Sequence, residues 1–576
     1  MKKMFLYLKP YRKESILAPL FKLLEAVFDL LVPIIVKQII DVGIANSDKP
    51  YIWKMVGILG VFAVVGLACA LTAQYFAARA AVGFGTGLRS ALFRHIQGFS
   101  YRETDRAGTS TLITRMTSDV NQVQSGINLT LRLLLRSPII VFGAVIMAFT
   151  VDVKGALVFV VAVPLLAVAV FAILLAGFPL YRRVQRNLDR VTGLTRENLT
   201  GVRVIRAFRR EEEEIERFGQ ANREHRRVQT LVGNISALMN PITLLLVDGG
   251  LIALLLMGAI RVNNGYMTTG AVIALTNYMA QILTELVKFA NTIFTVNKAL
   301  ACASRIESVL DTPVGMPESK PLHEPTDDGN AVTFRNVSMT YAGNAAPSLS
   351  GVDFSVRPGE VIGIIGSTGS GKSTLVNLIP RFYDADEGSV LVNGIDVRAW
   401  NTEALRQKIA VVPQKAVLFR GTIRSNLLWG NEAATDEKLW QALDAAQAKE
   451  FTEQKEGGLD APVAQNGKNF SGGQRQRLTI ARALVRKAEI LILDDSASAL
   501  DYATEASLRT ALRRLPEHPT VFIVSQRTAS IRHADRILVL EEGHPVGLGT
   551  HDELLACCAV YREIYESQFR KGGETA

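Results

Sequence analysis

Apolar stretches of about 20 residues, enough to cross a bilayer as helices, recur through the first half of this chain and cease after Phe294. No single soluble core absorbs such runs. Six spans are read from them: Ile16–Ile40, Ile52–Ala78, Leu129–Val151, Leu157–Leu180, Ile242–Val262 and Thr269–Phe294, with Arg132 and Arg136 interrupting the third. The remainder alternates short apolar runs with polar turns, as soluble α/β domains do. Length points the same way, because 576 residues exceed one compact core. Pro313, Pro317, Pro321 and Pro325 gather with Gly, Asp and Glu at the change of texture. The expected organisation is a six-helix, all-α membrane domain at 1–310, an extended linker at 311–330 and an α/β domain at 331–576.

The links between spans are unequal. Those near Ser47–Pro50, Asp152–Lys154 and Asn263–Tyr266 are short, whereas Arg79–Asn128 and Tyr181–Met239 are long, charged and free of proline. Lys and Arg are retained on the cytoplasmic side, so both long links and both termini are expected in the cytoplasm, with the long links extending their helices past the bilayer. This placement also accounts for the net charge of +10, since the basic residues flank apolar runs instead of forming a stripe with interleaved aromatics. No nucleic-acid partner is expected. The basic segment Met1–Glu14 reads as an amphipathic lead-in and not as a removable signal peptide. The four cysteines, Cys69, Cys302, Cys557 and Cys558, have neither zinc-ligand nor disulfide-framework spacing.

Charged and amide side chains inside spans are expensive unless they face protein or a water-filled cavity. Lys22, Glu25 and Asp29 share one face of the first span, and Asn277, Gln281, Glu285 and Lys288 make a similar stripe on the sixth. Glu25, Asp29, Asn277, Gln281 and Glu285 are therefore candidates for a translocation cavity. Interhelical pairing explains them equally well, and Asp248 in the fifth span carries the same ambiguity.

In the second half a short strand, Val361–Ile365, leads into Gly366-Ser367-Thr368-Gly369-Ser370-Gly371-Lys372-Ser373, followed by Thr374 and an apolar helical run. This fits the phosphate-binding pattern GxxxxGK[ST] in full. Its glycines let backbone N–H groups wrap phosphates at a helix N-terminus, Lys372 reaches the β and γ phosphates, and the Ser373 hydroxyl binds Mg2+. A further apolar strand, Ile490–Leu493, ends in Asp494, placed to hold Mg2+ through water, and in Asp495. ATP and Mg2+ are the expected cofactors.

Between these two motifs, Asn469-Phe470-Ser471-Gly472-Gly473-Gln474-Arg475-Gln476-Arg477 resembles the signature sequence of ATP-binding cassette (ABC) proteins. Gln414 matches that family's Q-loop, a further Mg2+ contact, and Ser498-Ala499-Leu500-Asp501 its D-loop; Tyr341 falls where an aromatic residue stacks on adenine. The six spans and two long links resemble an ABC exporter, whose coupling helices would lie near Asp105 and Arg206. The resemblance implies a dimer in which Ser471, Gly472, Gly473 and Gln474 complete the partner's ATP site. It departs from the pattern twice. Asp495 replaces the family's glutamate, and Gln526 its switch histidine. Both positions serve the same nucleotide. The chain thus resembles the degenerate-site half of heterodimeric bacterial multidrug exporters. That likeness implies a non-identical second half-transporter bearing Glu and His, small amphipathic substrates such as drugs or lipids, contact with membrane lipid, and residence in the bacterial cytoplasmic membrane. A homodimer with slow hydrolysis and a non-transporting ATP-gated channel or regulator are the alternatives.

Overall fold

The computed structural model describes residues 4, 6–316, 329–341 and 346–569, apart from the side chains of 174 and 178. Met1–Lys3 and Phe5 of the lead-in, and Pro317, Pro321 and Pro325 of the linker, lie outside the described residues. The chain divides into two compact units, Met1–Gln97 with Thr109–Pro313, and Gly98–Gly108 with Val314–Ala576. The short capped helix Tyr101–Ala107 thus belongs to the second unit, although helices of the first unit flank it in sequence.

The first unit is helical. Among the described residues five stretches are long and apolar enough to cross a membrane: Lys49–Gln97, Thr109–Val151, Val153–Ala207, Glu211–Asn263 and Thr269–Leu310. Each is at least about twice the length a bilayer needs, so every one continues well past its apolar part. The expected first span forms a helix, Arg12–Gln38, that stays outside this group, because Lys22, Glu25 and Asp29 leave it no long window poor in charge. Arg132 does not break the third helix either. The chain takes a π-helical turn at Thr130–Leu134, which inserts a residue and rephases the helix just before Arg136.

Small residues let these helices approach. Ala26, Ala144, Ala148 and Ala156 are fully buried beside Phe159 and Tyr278, whose hydroxyl donates to the Leu30 carbonyl at 2.6 Å. The short links are pinned by carboxylates. Asp152 caps Val153–Ala207 and pairs with Arg261 at 2.7 Å, while Asp41 accepts from the Thr268 hydroxyl and the Gly270 N–H.

The second unit pairs an antiparallel sheet, in the order Leu349–Val356, Val332–Met339, Glu387–Val392, Ile395–Asp396, with a six-stranded sheet. The larger sheet runs His544–Gly549, Arg536–Glu541, Val361–Gly366, Thr520–Val524, Ile490–Asp494, Ile409–Val412, and is parallel except at its first strand. Its central strands are apolar almost throughout because both faces are covered.

Candidate functional site

Strand order assembles the site. Val361–Gly366, Thr520–Val524 and Ile490–Asp494 are parallel neighbours, with Val524 opposite both Ile364 and Asp494. Their carboxyl ends, where open α/β sheets bind ligands, bring three separate sequence segments together: the loop 366–373, Ser525-Gln526, and Asp494-Asp495. Ile409–Val412 adds Gln414 on the far side.

The phosphate loop cannot be built from larger residues. Gly371 has φ 92°, and a Cβ there would stand 2.4 Å from the Ser348 carbonyl oxygen; at Gly366 it would stand 2.1 Å from that of Leu540. Lys372 is 8% exposed, and its ammonium donates to the carbonyls of Gly366 at 2.9 Å and Ser367 at 2.6 Å and to the Ser370 hydroxyl at 3.4 Å. Burial holds its pKa below the usual lysine range, opposed by the carboxylates of Asp495 and Asp494. Thr374 is buried and accepts a hydrogen bond from the Tyr341 hydroxyl at 3.2 Å. The Tyr341 ring meets Tyr383 edge-on at 5.2 Å, and Tyr383 in turn donates to Asp105.

The Ser373 hydroxyl donates to Asp494 Oδ1 at 2.9 Å. Burial of Asp494 raises its pKa, with the Ser373 bond working against that rise. A hydroxyl, a carboxylate and the nearby Gln414 amide are hard oxygen donors, and no group of three or more His, Cys, Asp or Glu forms a metal cage among the described residues. That fits Mg2+, which takes one or two protein oxygens and completes its shell with phosphates and water. Gln414 Nε2 donates to Asp495 Oδ2 at 3.3 Å, and Asp495 itself has φ 45°.

Ser471 caps the helix Gly472–Val485: its hydroxyl accepts from the Gln474 N–H, and the Gln474 side chain accepts from the Ser471 N–H. A Cβ at Gly473 would lie 3.1 Å from the Ala499 carbonyl oxygen, so this glycine lets the segment Ser498–Asp501 close on the helix. The exposed Gln526 is held by its backbone, whose carbonyl accepts from Gln568 Nε2 at 2.7 Å. Gln568 also accepts from Thr528, and Arg527 donates to the Ser498 carbonyl. Nothing in the motif pattern marks Gln568, which approaches from the helix Ala559–Phe569.

In the membrane unit, Arg136 gathers what the sequence left as two stripes. Its guanidinium bonds Glu285 at 2.6 Å and Asp29 at 2.8 Å and lies 3.7 Å from Glu25. Ser137 and Lys288 also bond Glu285, and Lys22 pairs with Glu25. Three cations therefore face three anions. A cavity of about 430 Å³ opens beside them, lined by Asp29, Arg136, Asn277, Gln281, Glu285 and Lys288 among others. Glu25 is not among its lining residues. Arg136 could have been found by asking which in-span cation the three in-span carboxylates share.

Two family models match this chain: residues 15–286 fit the ABC transporter transmembrane region and residues 349–498 fit the ABC transporter model. An uncharacterised ABC transporter ATP-binding protein of Mycobacterium tuberculosis is 40% identical over 98% of this chain and 97% of its own length. The chain belongs to the ABC transporter family. Another uncharacterised ABC transporter ATP-binding protein, from Bacillus subtilis, aligns along the whole of both chains at 36% identity. The ATP-dependent lipid A-core flippase of Chromohalobacter salexigens is 33% identical over 98% of this ABC transporter and 97% of its own length. A bacterial Atm1-family ABC exporter solved with ATP bound shares the fold, with a TM-score of 0.79 over 98% of this chain and 99% of that one at 23% identity. In this ABC transporter a membrane domain is fused to an ATP-binding domain within one polypeptide.

Proposed function

We propose that the chain is one half of a heterodimeric exporter that moves amphipathic small molecules, drugs or lipids, out through the bacterial cytoplasmic membrane. The observation that carries the reading is the pairing of Asp495 and Gln526 at the ends of adjacent strands, next to an intact phosphate loop. Phosphoryl transfer needs a group that orients the attacking water. The Asp495 carboxylate sits one methylene short of a glutamate, and its Oδ2 is engaged by Gln414. Gln526 offers a neutral amide where an imidazolium would be useful.

On this reading Gly366–Thr374 bind ATP, Tyr341 stacks on the adenine, and Ser373, Asp494 and Gln414 hold Mg2+, which neutralises phosphate charge when bound. Ser471–Gln474 complete the partner's hydrolytic site. Their small residues and their place at a helix N-terminus suit a γ-phosphate.

Arg12–Gln38 is proposed as a sixth span, since Lys22, Glu25 and Asp29 within it are matched by Arg136 and by one another. The long links and both termini lie in the cytoplasm. The cavity beside Arg136 is the substrate path, and the flippase among the relatives favours lipid-like cargo.

The test compares ATPase turnover of the purified chain alone with turnover after co-expression with the product of an adjacent gene encoding Glu and His at the two positions. Turnover is expected to rise on the order of a hundredfold, the scale of a misplaced reacting group. Fast hydrolysis by the chain alone, unchanged by the partner, would favour a homodimer.

A further inference from the structure

At the long-link ends of the predicted spans the membrane unit holds an apolar cavity of about 350 Å³, within the size range of ligand sites. Phe84, Ile127, Val296 and Leu300 line it, each lying on the long-link side of a span end: Phe84 follows Ala78, Ile127 precedes Leu129, and Val296 and Leu300 follow Phe294. Leu8 of the N-terminal lead-in closes one side. That same leucine borders a second recess, lined by Lys9, Arg12 and Ser15 together with Leu6 and Ile16. Lys9 and Arg12 are exposed, and neither makes an ion pair among the described residues.

The lead-in is seated by close packing. A Cβ at Gly83 would lie 2.1 Å from the Tyr11 ring, so this glycine receives that tyrosine, while Tyr7 lies within ordinary contact range of Gly87 one helical turn on. The apolar cavity and the cationic recess are thereby held side by side, with Leu8 shared between them.

We propose that this two-part recess binds an anionic phospholipid of the cytoplasmic leaflet, one acyl chain filling the cavity and the phosphate headgroup resting on Lys9 and Arg12. A soluble anion would leave the apolar walls uncovered, and an uncharged amphiphile would leave two cations without a counterion. An anionic lipid satisfies both halves. Its depth is right as well, because headgroup phosphates lie at the level where spans end. The site is separate from the cavity beside Arg136 and does not depend on how the chain pairs.

The experiment uses the full-length transporter in phosphatidylcholine nanodiscs doped with photoactivatable lipid carrying a diazirine on the acyl chain, as either phosphatidylglycerol or phosphatidylcholine. Peptide mapping should place phosphatidylglycerol label on residues 120–134 and 296–303, in excess of phosphatidylcholine label. Lys9→Gln with Arg12→Gln should remove that excess, at roughly fivefold for each cation lost. Ala303→Phe, which fills the cavity, should lower labelling by both lipids. Equal labelling by the two lipids in the unaltered protein, or a preference that survives the double Gln substitution, overturns the site. So does label that never reaches these segments. The two cations are exposed, so their substitution leaves the fold intact and the test decisive.

Discussion

Glu285 is 4% exposed, and its carboxylate is bonded by the guanidinium of Arg136, by the Ser137 hydroxyl and by the Lys288 ammonium. Arg136→Ala strands that carboxylate and the one on Asp29, and removing one member of a buried pair typically destabilises by about 3–5 kcal/mol. A clear fall in the melting temperature of the detergent-solubilised protein is expected, with partial recovery when Glu285→Gln is added. An unchanged melting temperature for the single variant would mean that Arg136 is not holding these charges. The same scale governs the nucleotide. Restoring Asp495→Glu and Gln526→His together should raise ATPase turnover of the chain on its own by on the order of a hundredfold, because near-attack geometry is sensitive at about the 1 Å level. Steady-state phosphate release from the purified double variant measures this, and no gain would place the limit elsewhere.

At the scale of elements, Ser471 caps the helix Gly472–Val485 and, on the proposed reading, also completes the partner's ATP site. Ser471 closes a capping box with Gln474, and loss of such a cap costs about 1 kcal/mol. Ser471→Ala should therefore lower the melting temperature slightly while abolishing most ATPase activity of the complete transporter. Ser471→Asn, a competent cap, should restore the melting temperature without restoring turnover. If Asn recovers both, the hydroxyl acts only as a cap. The motif-bearing elements were legible because their chemistry is local: the run 366–373 dictates its own loop, and the apolar strands before it and before Asp494 mark a buried parallel sheet. Arg12–Gln38 is a span only as proposed, since Lys22, Glu25 and Asp29 on one helix look costly until Arg136 on another is known. The backbone clamp from Gln568 on Gln526 was invisible, because glutamine near a helix end carries no signal of the loop it will meet 42 residues away. The same holds for Tyr101–Ala107. Its capping box announces a helix, but its stacking on Phe382 at 4.5 Å joins residues with no shared pattern.

For the whole molecule, the decisive question is what ATP does at a site that, on the proposed reading, cuts it poorly. A ligand shifts a conformational equilibrium only by its differential affinity for the two states, and hydrolysis is not required for that shift. ATP on this phosphate loop, contacted by a partner's signature only when the domains are together, would stabilise the closed form even if never cleaved. Lys372 makes the prediction sharp. Its ammonium sits among three loop oxygens, where the proposed reading puts the β and γ phosphates, so on that reading Lys372→Met removes binding and leaves a partner's catalytic groups untouched. ATP-dependent uptake of an amphipathic dye into inside-out vesicles should fall at least tenfold, the scale of one lost charge-assisted contact of about 1.5–3 kcal/mol. ATPase activity should fall with it, because the partner's site closes only when this one does. Asp495→Asn, which removes the residual carboxylate but not the phosphate grip, should leave uptake nearly unchanged. Uptake that survives Lys372→Met would show that closure needs no triphosphate on this chain, and uptake lost with Asp495→Asn would show that this site hydrolyses ATP in every transport cycle.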